Sequence, residues 1–146
     1  MDGVLTDFDS AYEQLTGLDI KGQHFNDKSF WEPIDKAGVK FWSDMKWKED
    51  GKELWEYISK YKPKLLSAPS RENSSRVGKH EWVERELPGV PLLLRSAQHK
   101  KDFADDKSIL IDDRVDNIEG WIEKGGIGIV HTSTKDTIKK LEELGI

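Results

Sequence analysis

Four short apolar runs, each followed by a stretch with helical spacing, constrain the fold of this chain more than any other feature. The runs are Leu65-Leu66, Val90 to Leu94, Ile109 to Ile111 and Ile127 to Val130. They are nearly free of interior polar residues, as strands covered on both faces of a parallel sheet are, although spacing alone does not separate them from buried helix. Leu54, Trp55 and Ile58 share one stripe within Lys52 to Tyr61, and Trp82, Val83 and Leu87 share another within Lys79 to Leu87. Val115, Ile118, Trp121 and Ile122 repeat the spacing over Arg114 to Lys124 before Gly125-Gly126, as do Ile138, Leu141 and Leu144 over Thr134 to Leu144 before Gly145. Strand then helix, repeated, predicts a parallel α/β sheet with right-handed crossovers. The carboxyl ends of its strands then share one edge, where a site assembles.

The 146 residues suffice for one sizeable core, and a single domain over 1–146 is expected. Residues 17 to 50 break the alternation, holding Trp31, Trp42 and Trp47 beside Phe25, Phe30 and Phe41 in a Lys- and Asp-rich background. They read as a small, mostly helical insertion over one edge of the sheet. Lys plus Arg number 23 against 28 Asp plus Glu, and the net charge of −5 argues against a nucleic-acid coat or a polybasic membrane binder. The absence of cysteine excludes disulfide scaffolds, thiolate zinc sites and cysteine nucleophiles. Asp2, Asp7 and Asp9 stand where a signal peptide needs basic residues, and Val90 to Leu94 is too short to span a bilayer, so a cytoplasmic protein is expected.

Polar residues stand directly at the ends of apolar segments in three places: Met1 to Asp7, Leu66 to Ser70, and Ile111 to Arg114. Asp112 and Asp113 follow their run without a spacer, and two adjacent carboxylates at a buried strand end repel unless a cation joins them; hard oxygen ligands favour Mg²⁺. An equally ordinary role is to cap the next helix. Ser67 opens Ser67-Ala68-Pro69-Ser70, where a hydroxyl and the backbone N–H of Ala68 can cradle a phosphate, or where Ser67 is simply a helix cap. Lys79 is placed to reach the same phosphate from near the start of the following helix, or is a solvated surface lysine. Lys100-Lys101 add positive potential or lie on a solvated loop, with Lys101 taken as the substrate contact. Asp7 and Asp9 read as caps of a helix over Ser10 to Leu15. The four histidines have no paired metal-ligand spacing, and no Gly-rich loop followed by Lys-Ser or Lys-Thr suggests a P-loop.

Taken in order, these pieces resemble the haloacid dehalogenase-like phosphohydrolases, and within them the 5′(3′)-deoxyribonucleotidases. Met1-Asp2-Gly3-Val4-Leu5-Thr6-Asp7 is similar to the motif Asp-x-Asp-Gly-Val-x-x-Asp without its first residue; Ser67, Lys79 in Lys-x-x-Trp-Val, and Leu110-Ile111-Asp112-Asp113-Arg114 match the three later motifs. The resemblance implies a three-layer, Rossmann-like parallel sheet with a helical cap at about residues 17–50. It implies a Mg²⁺-dependent phosphomonoesterase for a small phosphorylated substrate, a nucleoside monophosphate, working through an aspartyl phosphate. Asp2 is then the general acid and base and offers its carbonyl to the metal; Asp112 and Asp113 complete the metal shell; Ser67 and Lys79 hold phosphoryl oxygens. Phe30, Trp31, Phe41 and Trp42 become candidates for the base pocket, or form the core of the insertion.

The family's attacking Asp and the apolar strand before it would stand ahead of Met1. A start placed at an internal Met is the favoured explanation, beside true loss of the strand or its supply by another segment or chain. Without that carboxylate Asp2 alone is not expected to attack phosphorus, since in-line displacement tolerates little misplacement. The rival expectation is a noncatalytic nucleotide- or phosphate-binding module on the same fold. A receiver-like domain shares the sheet but places its acids and lysine in another order.

Overall fold

The computed structural model describes residues 1–146 and contains seven α-helices and four strands. In chain order these are α1 (Phe8–Thr16), α2 (Lys28–Ala37), α3 (Val39–Ser43), α4 (Gly51–Ile58), β1 (Leu65–Ser67), α5 (Asn73–Glu86), β2 (Leu92–Leu94), β3 (Ile109–Asp112), α6 (Val115–Glu123), β4 (Ile127–Val130) and α7 (Thr134–Glu143). A 3₁₀ segment, Ala97–Phe103, connects β2 to β3. No helix is long and apolar enough to cross a membrane.

Every strand expected from the apolar runs is present, and their pairing is parallel. β1 pairs with β2, Leu65 opposite Leu92, and β3 pairs with β4, Ile109 opposite Ile127. Val90 and Pro91 fall outside β2; the ring nitrogen of Pro91 has no hydrogen to give, while its carbonyl accepts the Leu65 N–H at 2.9 Å. The expectation of one continuous three-layer sheet is corrected: the strands form two separate two-stranded sheets. The Met1 carbonyl accepts hydrogen bonds from Val4, Leu5 and Thr6 at 3.2, 2.9 and 3.2 Å, and Gly3 takes a φ of 78°, so these residues coil into a turn and add no strand. Thr6 then bridges to Trp47, and Leu5 accepts the Lys48 N–H at 2.7 Å.

The helices follow their start and stop signals. Asp7 caps α1 by accepting from Ser10 N at 3.1 Å, and Gly17 ends it with a φ of 72°. Asp9 lies in the first turn of that helix. α5 starts at Asn73, six residues before the expected Lys79, so Lys79 sits well inside the helix.

The insertion over 17–50 is helical, as expected, and it shares the main core. Phe8, Tyr12, Phe30, Ile34, Phe41, Trp42 and Met45 pack in one cluster with Leu54, Leu65, Trp82 and Val83. α3 lies directly on α5: a Cβ added at Gly78 would fall 2.4 Å from Trp42 Cβ. Two side chains of α5 fasten the following turn, Trp82 Nε1 donating to Met45 O at 2.7 Å and Arg85 Nη2 to Ser43 O at 2.6 Å.

Candidate functional site

The carboxyl ends of β1 and β3, together with residues 2 and 3, form the floor of a cleft of about 1120 Å³. Its walls come from the insertion on one side, including Ile20, Phe25, Trp31 and Trp42, and from Ala68 to Glu72 and Ser96-Ala97 on the other. The strand ends deliver Ser67 and the Asp112-Asp113 pair because each follows its apolar run without a spacer.

Below the floor lies Lys79, 1% exposed. Its Nζ donates to Asp2 Oδ2 at 2.7 Å and to Ser67 Oγ at 2.9 Å, and stands 4.9 Å from the Trp42 ring centroid. The surface-lysine reading is thereby set aside. Ser67 does not cap a helix either: it is buried, and α5 begins six residues later with no side-chain cap. Burial opposes ionisation of Asp2, but the Lys79 ammonium, the Met1 amino group and a hydrogen bond from Thr6 Oγ1 at 2.7 Å outweigh it and hold the carboxyl below the usual range.

The second polar cluster centres on Asp112. Its Oδ2 accepts from Lys100 Nζ at 2.9 Å and Asn117 Nδ2 at 3.2 Å, and its Oδ1 accepts the Arg114 N–H at 3.0 Å. The last bond closes a local turn ahead of α6, whose N-cap position is Arg114 and carries no side-chain cap, so the helix-cap role weighed from the sequence is not taken and Asp112 faces the cleft. Burial raises its pKa, and the adjacent Lys100 ammonium more than reverses that. Asp113 has no hydrogen-bonded cation. Desolvation and the neighbouring Asp112 charge push it up to about 6. Its carboxylate lies so close to Gly3 that an added Cβ there would fall 2.1 Å from Oδ2, which ties the turn at residue 3 to the acidic pair.

The other expected residues divide. Ala68 lines the cleft, as do Trp31 and Trp42. Phe30 and Phe41 do not: they are 2% and 9% exposed and belong to the core, where Tyr12 stacks on Phe30 at 4.4 Å, and Trp42, itself 4% exposed, shares that core and meets the cleft only at its edge. Lys101 lines a smaller neighbouring cavity, with its stem 3.5 Å from where a Cβ on Gly120 would stand. Lys100, which the sequence reading passed over for its neighbour, is 6% exposed and reaches the cleft. Asn117 is a further residue the sequence reading missed; its signal is a polar side chain one turn after the acidic pair on α6.

As a cation site, the donor set has one open member. Both oxygens of Asp2 and both of Asp112 already accept hydrogen bonds, whereas Asp113 is a carboxyl destabilised as an anion, the electrostatic condition that a bound cation relieves. No three His, Asp or Glu side chains stand close enough together to hold a metal ion among themselves. The chain matches no family model, no curated protein and no solved structure.

Proposed function

We propose that the cleft is the phosphate site of a Mg²⁺-dependent phosphomonoesterase of the haloacid dehalogenase-like type, acting on nucleoside monophosphates. The observation that carries this reading is the buried lysine beneath the floor, engaging both a hydroxyl and a carboxylate that line the cleft. Burying an ammonium costs several kcal/mol unless its partners return it. Here the partners are Ser67 and Asp2, the groups a phosphoryl transfer uses for holding oxygens and moving protons.

Each residue then has a task. Ser67 Oγ, the Ala68 N–H and Lys79 Nζ hold phosphoryl oxygens. Asp2 is kept ionised by Lys79 while the cleft is free of phosphate; a phosphate competing for that ammonium returns Asp2 towards the pKa of an acid able to protonate the leaving oxygen. Asp113, Asp112 and the Asp2 carbonyl would hold Mg²⁺, whose charge offsets that of the carboxylates and the phosphate when bound. Trp31 and Phe25 offer aromatic surface for a base, Trp31 Nε1 being fixed by the Phe25 carbonyl at 2.8 Å. This reading requires an attacking carboxylate two positions before Asp2, which residues 1–146 do not supply.

One observation favours a second reading, a noncatalytic nucleotide-binding module: within the chain, Asp2 and Asp112 are both engaged by lysines and neither is a free nucleophile. Phosphate release from deoxy- and ribonucleoside monophosphates with Mg²⁺, comparing this chain with one extended by an apolar strand ending in Asp, separates the two. Release by the extended chain, abolished by Lys79→Met, is the expected result. Mg²⁺-dependent nucleotide binding with no turnover in either folded protein establishes the module instead.

A further inference from the structure

Beside the main cleft lies a second cavity of about 680 Å³. Asn26, Arg71, Ser96, Ala97 and Asn117 line both, so the two spaces adjoin along these residues. Their positions locate the border. Asn26 follows Phe25, the aromatic surface offered to a base, and Asn117 Nδ2 donates to Asp112 Oδ2 on the cleft floor at 3.2 Å. The border therefore spans the interval between base and phosphate, where the sugar of a nucleotide lies.

The lining of this cavity suits a charged group. Ala97 is its one apolar member. Two cations line it from different elements, Arg71 from the turn after β1 and Lys101 from the 3₁₀ segment. Neither makes an ion pair or a side-chain hydrogen bond, whereas the neighbouring Lys100 is committed to Asp112. The cavity's one acid, Asp116, is already engaged by Arg114 Nη2 at 3.0 Å. Lys101 is half-buried, its stem lying against α6 where Gly120 has no side chain, with Cδ 3.5 Å from where a Cβ would stand. Packing thus holds the stem and leaves the ammonium to meet a ligand. In a chain of net charge −5, two unpaired cations at one concave surface give a local positive potential that attracts anions.

We propose that, with one phosphoryl group held on Ser67 and Lys79 as in the reading above on which this rests, the second cavity binds another phosphate of the same substrate. The site then takes a nucleoside 3′,5′-bisphosphate in preference to a nucleoside 5′-monophosphate. A sugar held between Ser67 and the Phe25–Trp31 surface carries its 3′ oxygen at the border of the second cavity. The 3′-phosphate meets Arg71, whose planar fork can bind two of its oxygens, and Lys101, which adds a point charge.

Calorimetric titration of the intact chain with Mg²⁺ present tests this with three probes: thymidine 5′-monophosphate, thymidine 3′,5′-bisphosphate, and thymidine 5′-diphosphate, whose second phosphate follows the first in line. The bisphosphate is expected to bind at least about tenfold more tightly than either of the others. Lys101→Gln should leave the monophosphate affinity within about twofold, and Arg71→Gln with Lys101→Gln should bring the bisphosphate to within about twofold of the monophosphate. Equal affinity for monophosphate and bisphosphate overturns the proposal, as does an equal gain with the 5′-diphosphate, or a bisphosphate preference that survives the double substitution. Ser67→Ala separates this from the phosphate reading, since it should weaken all three probes. If Ser67→Ala changes nothing while the preference still depends on Arg71 and Lys101, the second cavity stands as an anion site and the reading of the main cleft falls. If the folded parent binds none of the three, both are overturned.

Discussion

Lys79 and Asp2 are 77 residues apart in the chain and 2.7 Å apart in the structure. That contact fastens the first turn of the protein to the middle of α5 and places a positive charge under the cleft floor. Because the lysine is 1% exposed while Asp2 is 28% exposed, the pair is desolvated mainly at the ammonium.

Breaking this pair therefore has a direction that depends on which partner is removed. Asp2→Asn removes the counter-charge and leaves the buried ammonium with neutral partners only, Ser67 and the face of Trp42 among them, and is expected to cost roughly 3–5 kcal/mol, the range for a buried charge that loses its partner. Lys79→Met leaves a carboxylate that water reaches in part, and falls at or below the low end of that range. Urea unfolding of both variants measures the order; a larger loss for Lys79→Met would mean that the lysine is better solvated than its burial indicates.

Gly78→Ala tests the contact that holds the insertion to the rest of the molecule. In an exposed helix the change gains up to about 1 kcal/mol. Here the new methyl falls 2.4 Å from Trp42 Cβ and 2.7 Å from Val39 O, and overpacking of this kind costs about 1–3 kcal/mol, so the net effect is a loss. A melting temperature above that of the parent protein would show that α3 and α5 are not in close contact.

The parts of the site that could be read from the sequence are those fixed by strand ends. A polar residue abutting an apolar run, as Ser67 and Asp112 do, has one place to go when the run becomes a strand in a parallel sheet. Choices between neighbours are different. Phe30 and Trp31 are adjacent on α2, where successive side chains point about 100° apart, and composition does not say which turns to the core; Phe41 and Trp42 both enter it, and only Trp42 also meets the cleft. Lys100 and Lys101 pose the same problem on a 3₁₀ segment. α5 hid its first turn and a half because Asn73 to Arg76 carry no apolar residue, although Ser75 is fully buried. The break between the sheets is legible as the want of an apolar run for a strand between β1 and β3, and Met1 to Thr6 form a turn and supply none.

The two adjacent lysines are expected to behave unequally. Lys100→Gln removes the counter-charge from a buried carboxylate, 6% exposed at Asp112, and should destabilise by several kcal/mol and weaken phosphate binding. Lys101→Gln removes a cation that makes no ion pair in this structure and should stay within about 0.5 kcal/mol. Denaturation and inorganic-phosphate titrations on both variants check the contrast, and equal effects would show that the Lys100–Asp112 pair contributes nothing specific.

Asp113 gives the site a pH dependence of known sign. Its carboxyl is pushed up to about 6 in the folded protein, chiefly by desolvation and then by Asp112, against an ordinary value of 3.8. The folded state thus holds this proton more tightly than the unfolded chain does. Its contribution to stability is fully present below about pH 4 and is lost as pH rises through 6. Asp2 and Asp112, both held below 3.8, act in the opposite sense, their contributions present above that value and lost as pH falls further. Asp113 is exposed to solvent, which limits the size of the effect but not its direction. Asp113→Asn should therefore gain stability relative to the parent protein as pH is raised from 4 to 7, and the parent's Mg²⁺ affinity should strengthen over the same interval, because the cation competes with that proton. Unfolding curves at pH 4, 5.5 and 7 for both proteins, with Mg²⁺ titrations on the parent, read the two effects. Parallel stability profiles for the two proteins would place Asp113 at an ordinary carboxylate pKa and remove the electrostatic case for a cation at the acidic pair.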